Sequence, residues 1–198
     1  MGERKGNWMQ TFSGLRFWVM DPSPDEVRIE DIAHALSMQC RYNGHCSTFY
    51  SVAQHSVLVS HVLEREHPPV VQFWGLIHDA AEAYLGDMVR PLKRSMPAYR
   101  EAEDRVMLAV VQRMGLQGFS EPPAVKWADT VLLSTERRDL MCHKLDWNQE
   151  ELCPPMPARI IPEPPEDAEE GFLLRFRALQ ARVLDQHGIG IYPEVSRG

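Results

Sequence analysis

The sequence is poor in paired cysteines. Its four cysteines, Cys40, Cys46, Cys142 and Cys153, form no C-x-x-C pair, so neither a disulfide framework nor soft thiolate metal ligation is implied. It also lacks any apolar run long enough to span a bilayer. The opening stretch MGERKGNWMQTFSG has charge but no apolar core, so a signal peptide is not expected. Gly6 stands where a myristoylation pattern needs Ser or Thr. Positive charge is scarce: 21 Lys and Arg face 28 Asp and Glu, a formal net charge of −7. Such a surface argues against long nucleic acid or an anionic membrane as the main partner. It leaves room for a small anion held by a few local cations or a metal. There is no internal repeat and no low-complexity tract, and the expected compartment is the cytoplasm.

What is present is 198 residues, 44% hydrophobic, enough for one globular domain with a real core. The core is expected over about 10–148, and 149–198 adds a proline-rich connection and a C-terminal helix. QTFSGLRFWVM at 10–20 suits a small hairpin or extended arm around Ser13-Gly14. Ile29, Ile32, Ala33, Leu36 and Cys40 have helical spacing over 29–40. A loop around Asn43-Gly44 precedes a helix over 52–66, in which Val52, Val59, Val62 and Leu63 share a face. A very apolar helix is expected over 70–85, stopped by Gly86, then a loop over 87–97. Further helices are expected over about 98–114, from Pro122-Pro123 to about 146, and over about 168–187 up to Gly188. LCPPMPARIIPEPPED, at 152–167, cannot be regular helix. The expected fold is all-α with a small extended N-terminal arm.

Three of these helices carry inward polar groups. His55 sits on an apolar face, His78-Asp79 lies in FWGLIHDAAEAY, and Asp129 shares a stripe with Val125, Leu132 and Glu136. Each alone is more often a satisfied core residue. Together they change the balance, because unpaired buried carboxylates are costly and one metal ion compensates them all. Two imidazoles and two carboxylates suit one divalent transition ion, Zn, Co, Mn or Fe, with Mg less suited. His61 and His67 are not placed to hold a second ion. Glu82 lies one turn after His78 and can serve as a general acid/base rather than a ligand.

The pattern His55, His78-Asp79, Asp129, with its flanks "VAQHS", "HDAAEAYLGD", "RPLK" and "KWAD", resembles the HD-domain metal-dependent phosphohydrolases. Within them it resembles bacterial 5′-deoxynucleotidases and, more closely, phage dATP triphosphohydrolases, over about residues 10–145. The resemblance implies an HD-type helical bundle in which His55, His78, Asp79 and Asp129 bind the metal and Glu82 positions or activates water. It further implies substrate contacts from Asp87, Pro91, Lys93, Lys126 and the pair Arg41-Tyr42. It implies hydrolysis of a deoxynucleotide, most naturally a dNTP to deoxynucleoside and triphosphate, and a homo-oligomer. A 5′-deoxynucleotidase acting on dNMPs is the alternative reaction. A non-catalytic nucleotide-binding module with a structural metal is the alternative of another class. Tyr42 replaces the family's Trp, and Gly44 replaces a bulky aliphatic, which would leave room around a purine and allow several dNTPs. Arg94, Arg137 and Arg138 are read as solvated surface, and His45 has no assigned role.

Overall fold

The apolar spacing of the sequence becomes a helical fold with one small hairpin in the computed structural model, which describes residues 4, 6–117, 120–143, 145, 147 and 153–187. Strands β1 (Met9–Gln10) and β2 (Arg16–Phe17) pair antiparallel, with Met9 opposite Phe17. The turn between them needs Gly14 at φ 85°. Buried Asp31 accepts from the Ser13 backbone N–H at 2.6 Å and its hydroxyl at 2.8 Å, which pins the hairpin tip to the first helix. Phe17 is fully buried and stacks on Tyr84 at 3.8 Å between ring centroids.

Helix α1 (Ile29–Met38) buries Ile29, Ile32, Ala33 and Leu36. Helix α2 (Val52–Val62) starts at Ser51, whose hydroxyl accepts from the Gln54 N–H at 3.1 Å as an N-cap. Helix α3 (Pro69–Ile77) opens on a proline, whose missing N–H costs nothing in a first turn. The short α4 (Glu82–Leu85) and α5 (Arg90–Lys93) follow, then α6 (Pro97–Arg113), α7 (Pro123–Leu140) and α8 (Pro165–His187). Helices α1, α2 and α3 pack together with α8, and α7 lies against α2 and α3. All four cysteines are free. Among the described residues, no helix is long and apolar enough to cross a membrane.

Four expectations are corrected. The helix expected over 70–85 is two helices, broken at 78–81. There the chain tightens to i→i−3 hydrogen bonds, Ala80 N–H to Ile77 O at 2.9 Å and Glu82 N–H to Asp79 O at 3.0 Å. His78 also turns back to donate from Nδ1 to the Gly75 carbonyl at 2.8 Å. The helix expected to reach 146 ends at Leu140, and Asp146 and Gly188 lie outside the described residues. The loop 87–97 holds α5. The C-terminal helix is part of the core rather than an appendage: Phe172, Phe176, Leu179 and Val183 are buried. Buried Arg175 ties α8 to the bundle, donating to Ser60 Oγ at 3.0 Å, Ser60 O at 3.2 Å and Gln72 Oε1 at 3.0 Å. The proline-rich segment, expected to be irregular over 152–167, is non-helical over 153–164 but already helical from Pro165, where α8 begins on a proline; the segment is strapped down through its main chain. Gln54 donates to Ile161 O at 2.7 Å, and Arg138 to Met156 O at 2.6 Å.

Gly75 sets the distance between α2 and α3. A Cβ there would stand 2.7 Å from Leu63 Cδ1 and 3.3 Å from Ser60 Cα. Helix propensity would gain up to about 1 kcal/mol without the glycine, but overpacking a full core costs about 1–3 kcal/mol and more for a branched side chain. Gly75→Val is therefore expected to lower unfolding free energy by about 2 kcal/mol in urea titration. An unchanged midpoint and slope would show that the helices can separate freely.

Candidate metal centre

The break after α3 builds the site. His78, at the C-cap of α3, and Asp79, the first residue beyond it, face His55 from α2 and Asp129 from α7. His55 Nε2 lies 3.5 Å from Asp129 Oδ1 and 3.8 Å from Asp79 Oδ2. His78 Nε2 lies 3.2 Å from Asp79 Oδ2. One donor atom each from His55, His78 and Asp129 falls within 4.8 Å of the others. The two rings stand 5.4 Å apart and tilted by 48°.

The outer nitrogens are anchored. His55 Nδ1 meets Glu136 Oε1 at 2.6 Å, and His78 Nδ1 meets the Gly75 carbonyl at 2.8 Å. With Nδ1 occupied in each ring, both Nε2 atoms point into the cluster, buried and without a hydrogen-bond partner. Two orphaned imidazole nitrogens facing ionised carboxylates form a donor set that fits a divalent cation. Burial alone would raise the Asp79 carboxyl, yet His78, His55 and Arg41 hold it well below its usual range. Burial likewise works against Asp129, which His55, His78 and Arg90 hold well down. Burial pulls His78 down, and Asp79 and Asp129 more than offset it, to about 9. A buried His55–His78–Asp129 group can thus hold a metal ion, with Asp79 Oδ2 beside it.

A cavity of about 720 Å³ opens over these residues. Of the residues singled out in the sequence, His78, Asp79, Glu82, Asp87, Pro91, Lys93, Lys126, Asp129, Arg41 and Tyr42 line it. His55 lies beneath its floor, fully buried. Gly44 is not among the lining residues. Its role is conformational: Tyr42, Asn43 and Gly44 have φ of 56°, 51° and 78°, a left-handed run that glycine completes without a Cβ penalty. A Cβ at Gly44 would meet nothing within 4 Å, so the position is open although it does not line the cavity.

Glu82 is buried, with Oε1 4.0 Å from Lys93 Nζ and Oε2 lacking a hydrogen bond. Burial and then the Asp79 and Asp87 carboxylates push its carboxyl well above the usual range. The tight winding explains the neighbour: i and i+3 eclipse in a 3₁₀ turn, which puts Glu82 over Asp79. Asp87 is held by its backbone N–H on Gln39 Oε1 at 2.9 Å. Lys93 is bonded to Glu103, and Lys126 donates to Asp129 Oδ2 at 2.9 Å. Arg41 is buried between Asp79, at 3.5 Å, and Glu136, at 3.3 Å, so it neutralises the site's own carboxylates.

Three further residues belong here that sequence reasoning did not single out for the site. Arg90 lines the cavity and donates to Asp129 Oδ2 at 2.6 Å. Trp147 lines it too, 5.9 Å from the Tyr42 ring. Glu136 is fully buried and takes hydrogen bonds from His55 and, at 2.5 Å, from the Tyr42 hydroxyl. The signal for Glu136 was its place seven residues after Asp129, on the same inward stripe.

No family model matches the sequence. The chain is 43% identical over 134 residues to the uncharacterized protein YfdR of Escherichia coli K12, covering 68% of this chain and 72% of that protein. It is 39% identical over 145 residues to an uncharacterized protein of Rhodobacter capsulatus, covering 69% and 74% respectively. The chain belongs to the family of these proteins.

If this cluster is a metal centre, protein stripped with chelator should take up one Co(II) or Mn(II) per chain in calorimetry. His78→Ala and Asp129→Ala should each weaken uptake by more than the roughly 10–100-fold typical of losing a supporting partner. Equal uptake by the parent and both variants would place the ion elsewhere.

Proposed function

We propose that the chain is a metal-dependent phosphohydrolase of deoxynucleoside 5′-phosphates, with dNTP hydrolysis to deoxynucleoside and triphosphate as its reaction. The observation that carries this reading is the coincidence of the His55–His78–Asp129 group with Glu82, Asp87, Lys93 and Lys126 on one cavity of about 720 Å³. That volume suits a nucleotide-sized ligand. The resemblance of His55, His78-Asp79 and Asp129 to HD-domain phosphohydrolases supports the same reading. A small deoxynucleotide is a cytoplasmic substrate, and a homo-oligomer is the assembly that the resemblance implies.

His55, His78, Asp79 and Asp129 would hold one divalent ion of the Zn, Co, Mn or Fe kind. Lewis-acid polarisation of a phosphoryl oxygen and a lowered pKa for water are the chemistry such an ion supplies. Glu82 then handles the proton of the attacking water, since a buried carboxyl raised above its usual range exchanges protons closer to neutral pH. Lys93 and Lys126 bind phosphate oxygens and offset charge as the P–O bond breaks. Arg41 and Tyr42 form the wall beside them, and Asp87 is held where it can accept from a sugar hydroxyl.

One observation favours dNMPs as a second substrate reading. Lys93 is already paired with Glu103, Lys126 with Asp129, and the acidic Asp104 and Glu121 line the same cavity. A triphosphate brings more negative charge past these carboxylates than a monophosphate does.

Glu82→Gln is expected to keep the fold and to lower kcat by about 10²–10⁴-fold. Unchanged turnover would remove Glu82 from the chemistry. Product analysis separates the two substrate readings. Deoxyadenosine and triphosphate from dATP support the first. Deoxyadenosine and phosphate from dAMP, with dATP untouched, support the second. No turnover of any dNTP or dNMP with Mn(II) or Co(II) would leave only a binding module.

A further inference from the structure

Glu136 is the most completely buried carboxylate of the site, and no step of the proposed reaction uses it. It lies below the cavity floor and does not line the cavity. It nonetheless touches three functional side chains at once. Its Oε1 takes the His55 Nδ1 contact at 2.6 Å. Its Oε2 takes the Tyr42 hydroxyl at 2.5 Å and faces Arg41 Nη2 at 3.3 Å. Arg41 in turn reaches Asp79 Oδ2 at 3.5 Å. One oxygen is therefore turned to a ligand of the candidate metal centre, and the other to the loop that walls the cavity.

The geometry points to Glu136 as a positioning residue. We infer that it fixes the His55 ring with Nε2 toward the metal and ties the Arg41–Tyr42 loop to that same ring, so that metal ligand and substrate wall are held as one unit. The inference rests on the metal-centre reading above. Two features argue for positioning over simple core filling. A fully buried carboxylate without partners would be strongly disfavoured, and the side chains that bond or face this one most closely, His55, Tyr42 and Arg41, all belong to the site. Tyr42 and Asn43 are held left-handed, at φ 56° and 51°, where non-glycine residues rarely lie unless something pins them. The Tyr42–Glu136 hydrogen bond is such a pin. A hydrogen-bonded acceptor behind a ligating imidazole sets its orientation and basicity, and its loss typically weakens metal binding about 10–100-fold.

The test uses the full chain stripped with chelator and titrated with Co(II) alone, read by calorimetry and by the visible Co(II) spectrum. Two variants separate charge from reach. Glu136→Gln keeps the length and loses the charge; Glu136→Asp keeps the charge and draws it back by one methylene. Both should bind Co(II) roughly 10–100-fold more weakly than the parent. Both should show an altered Co(II) spectrum at saturation, with helical circular dichroism retained. The activity that either variant loses at limiting Co(II) should return in part at high Co(II), which a folding defect would not allow. Co(II) affinity and spectrum unchanged in both variants would overturn the inference alone. A parent chain that binds no Co(II), Mn(II) or Zn(II) would overturn the metal-centre reading and this inference with it. If Glu136→Gln does not fold, Glu136→Asp decides the matter by the same two measurements.

Discussion

Buried negative charge is the constraint on which the centre of this bundle depends. Glu82, Asp129 and Glu136 are buried and Asp79 stands beside them, all within a few side chains of one another. Desolvating an ionised carboxylate costs several kcal/mol, about as much as a large share of a domain's net stability of about 5–15 kcal/mol. The cluster persists because each member has an answer. Asp129 has Arg90, Lys126 and His55; Asp79 has His78 and Arg41; Glu136 has His55, Tyr42 and Arg41. Glu82 is answered differently: it lies 4.0 Å from Lys93 and keeps its proton more readily. The result is a set of carboxylates whose environments push their proton affinities apart, the condition under which one group ligates and another moves protons.

The rest of the fold can be read as support for this cluster. Gly75 lets α3 approach α2 closely enough for His78 and His55 to share a space, and its carbonyl then anchors His78. The tight turn over 78–82 brings Glu82 above Asp79 instead of continuing an ordinary helix. Helix α8 closes the other side of α1, α2 and α3, far along the chain from any site residue, and Arg175 joins it to Ser60 and Gln72 through buried polar contacts.

Much of this was legible in the sequence, for specific reasons. His55, His78, Asp79 and Asp129 could be found because each interrupts an apolar helical face, where an uncompensated polar group is costly. The all-α fold and the Ser13-Gly14 hairpin followed from spacing and turn chemistry. The break at 78–81 was hidden because HDAAEA carries neither Gly nor Pro and is rich in Ala; it coincides with the His78 side chain returning to the Gly75 carbonyl. Glu136 was visible as an inward position on the Asp129 stripe but drew no role, since TERRD reads as a charged helix end. The docking of 153–164 left no trace, because the strap is held through main-chain carbonyls and N–H groups rather than through particular side chains of its own. At Gly44 the residue type suggested space, and its backbone role in the left-handed run could not be read from it.

That backbone requirement has an energetic consequence. Holding a non-glycine residue left-handed costs roughly 1–2 kcal/mol, and less for Asn, so the strain of this run falls mainly on Tyr42. A hydrogen bond to a charged group returns about 1.5–3 kcal/mol. The Tyr42–Glu136 bond therefore nearly balances the strain, with the loop's second tie, Ser47 N–H to Leu140 O at 2.8 Å, adding to it. A loop so close to balance cannot be indifferent to Glu136. Whatever draws His55 away from that carboxylate also shifts the equilibrium of Tyr42, because the two are bonded to opposite oxygens of one rigid group, His55 to Oε1 and Tyr42 to Oε2. The Tyr42 wall of the cavity and the His55 imidazole beneath its floor are thus linked by a carboxylate that does not itself line the cavity.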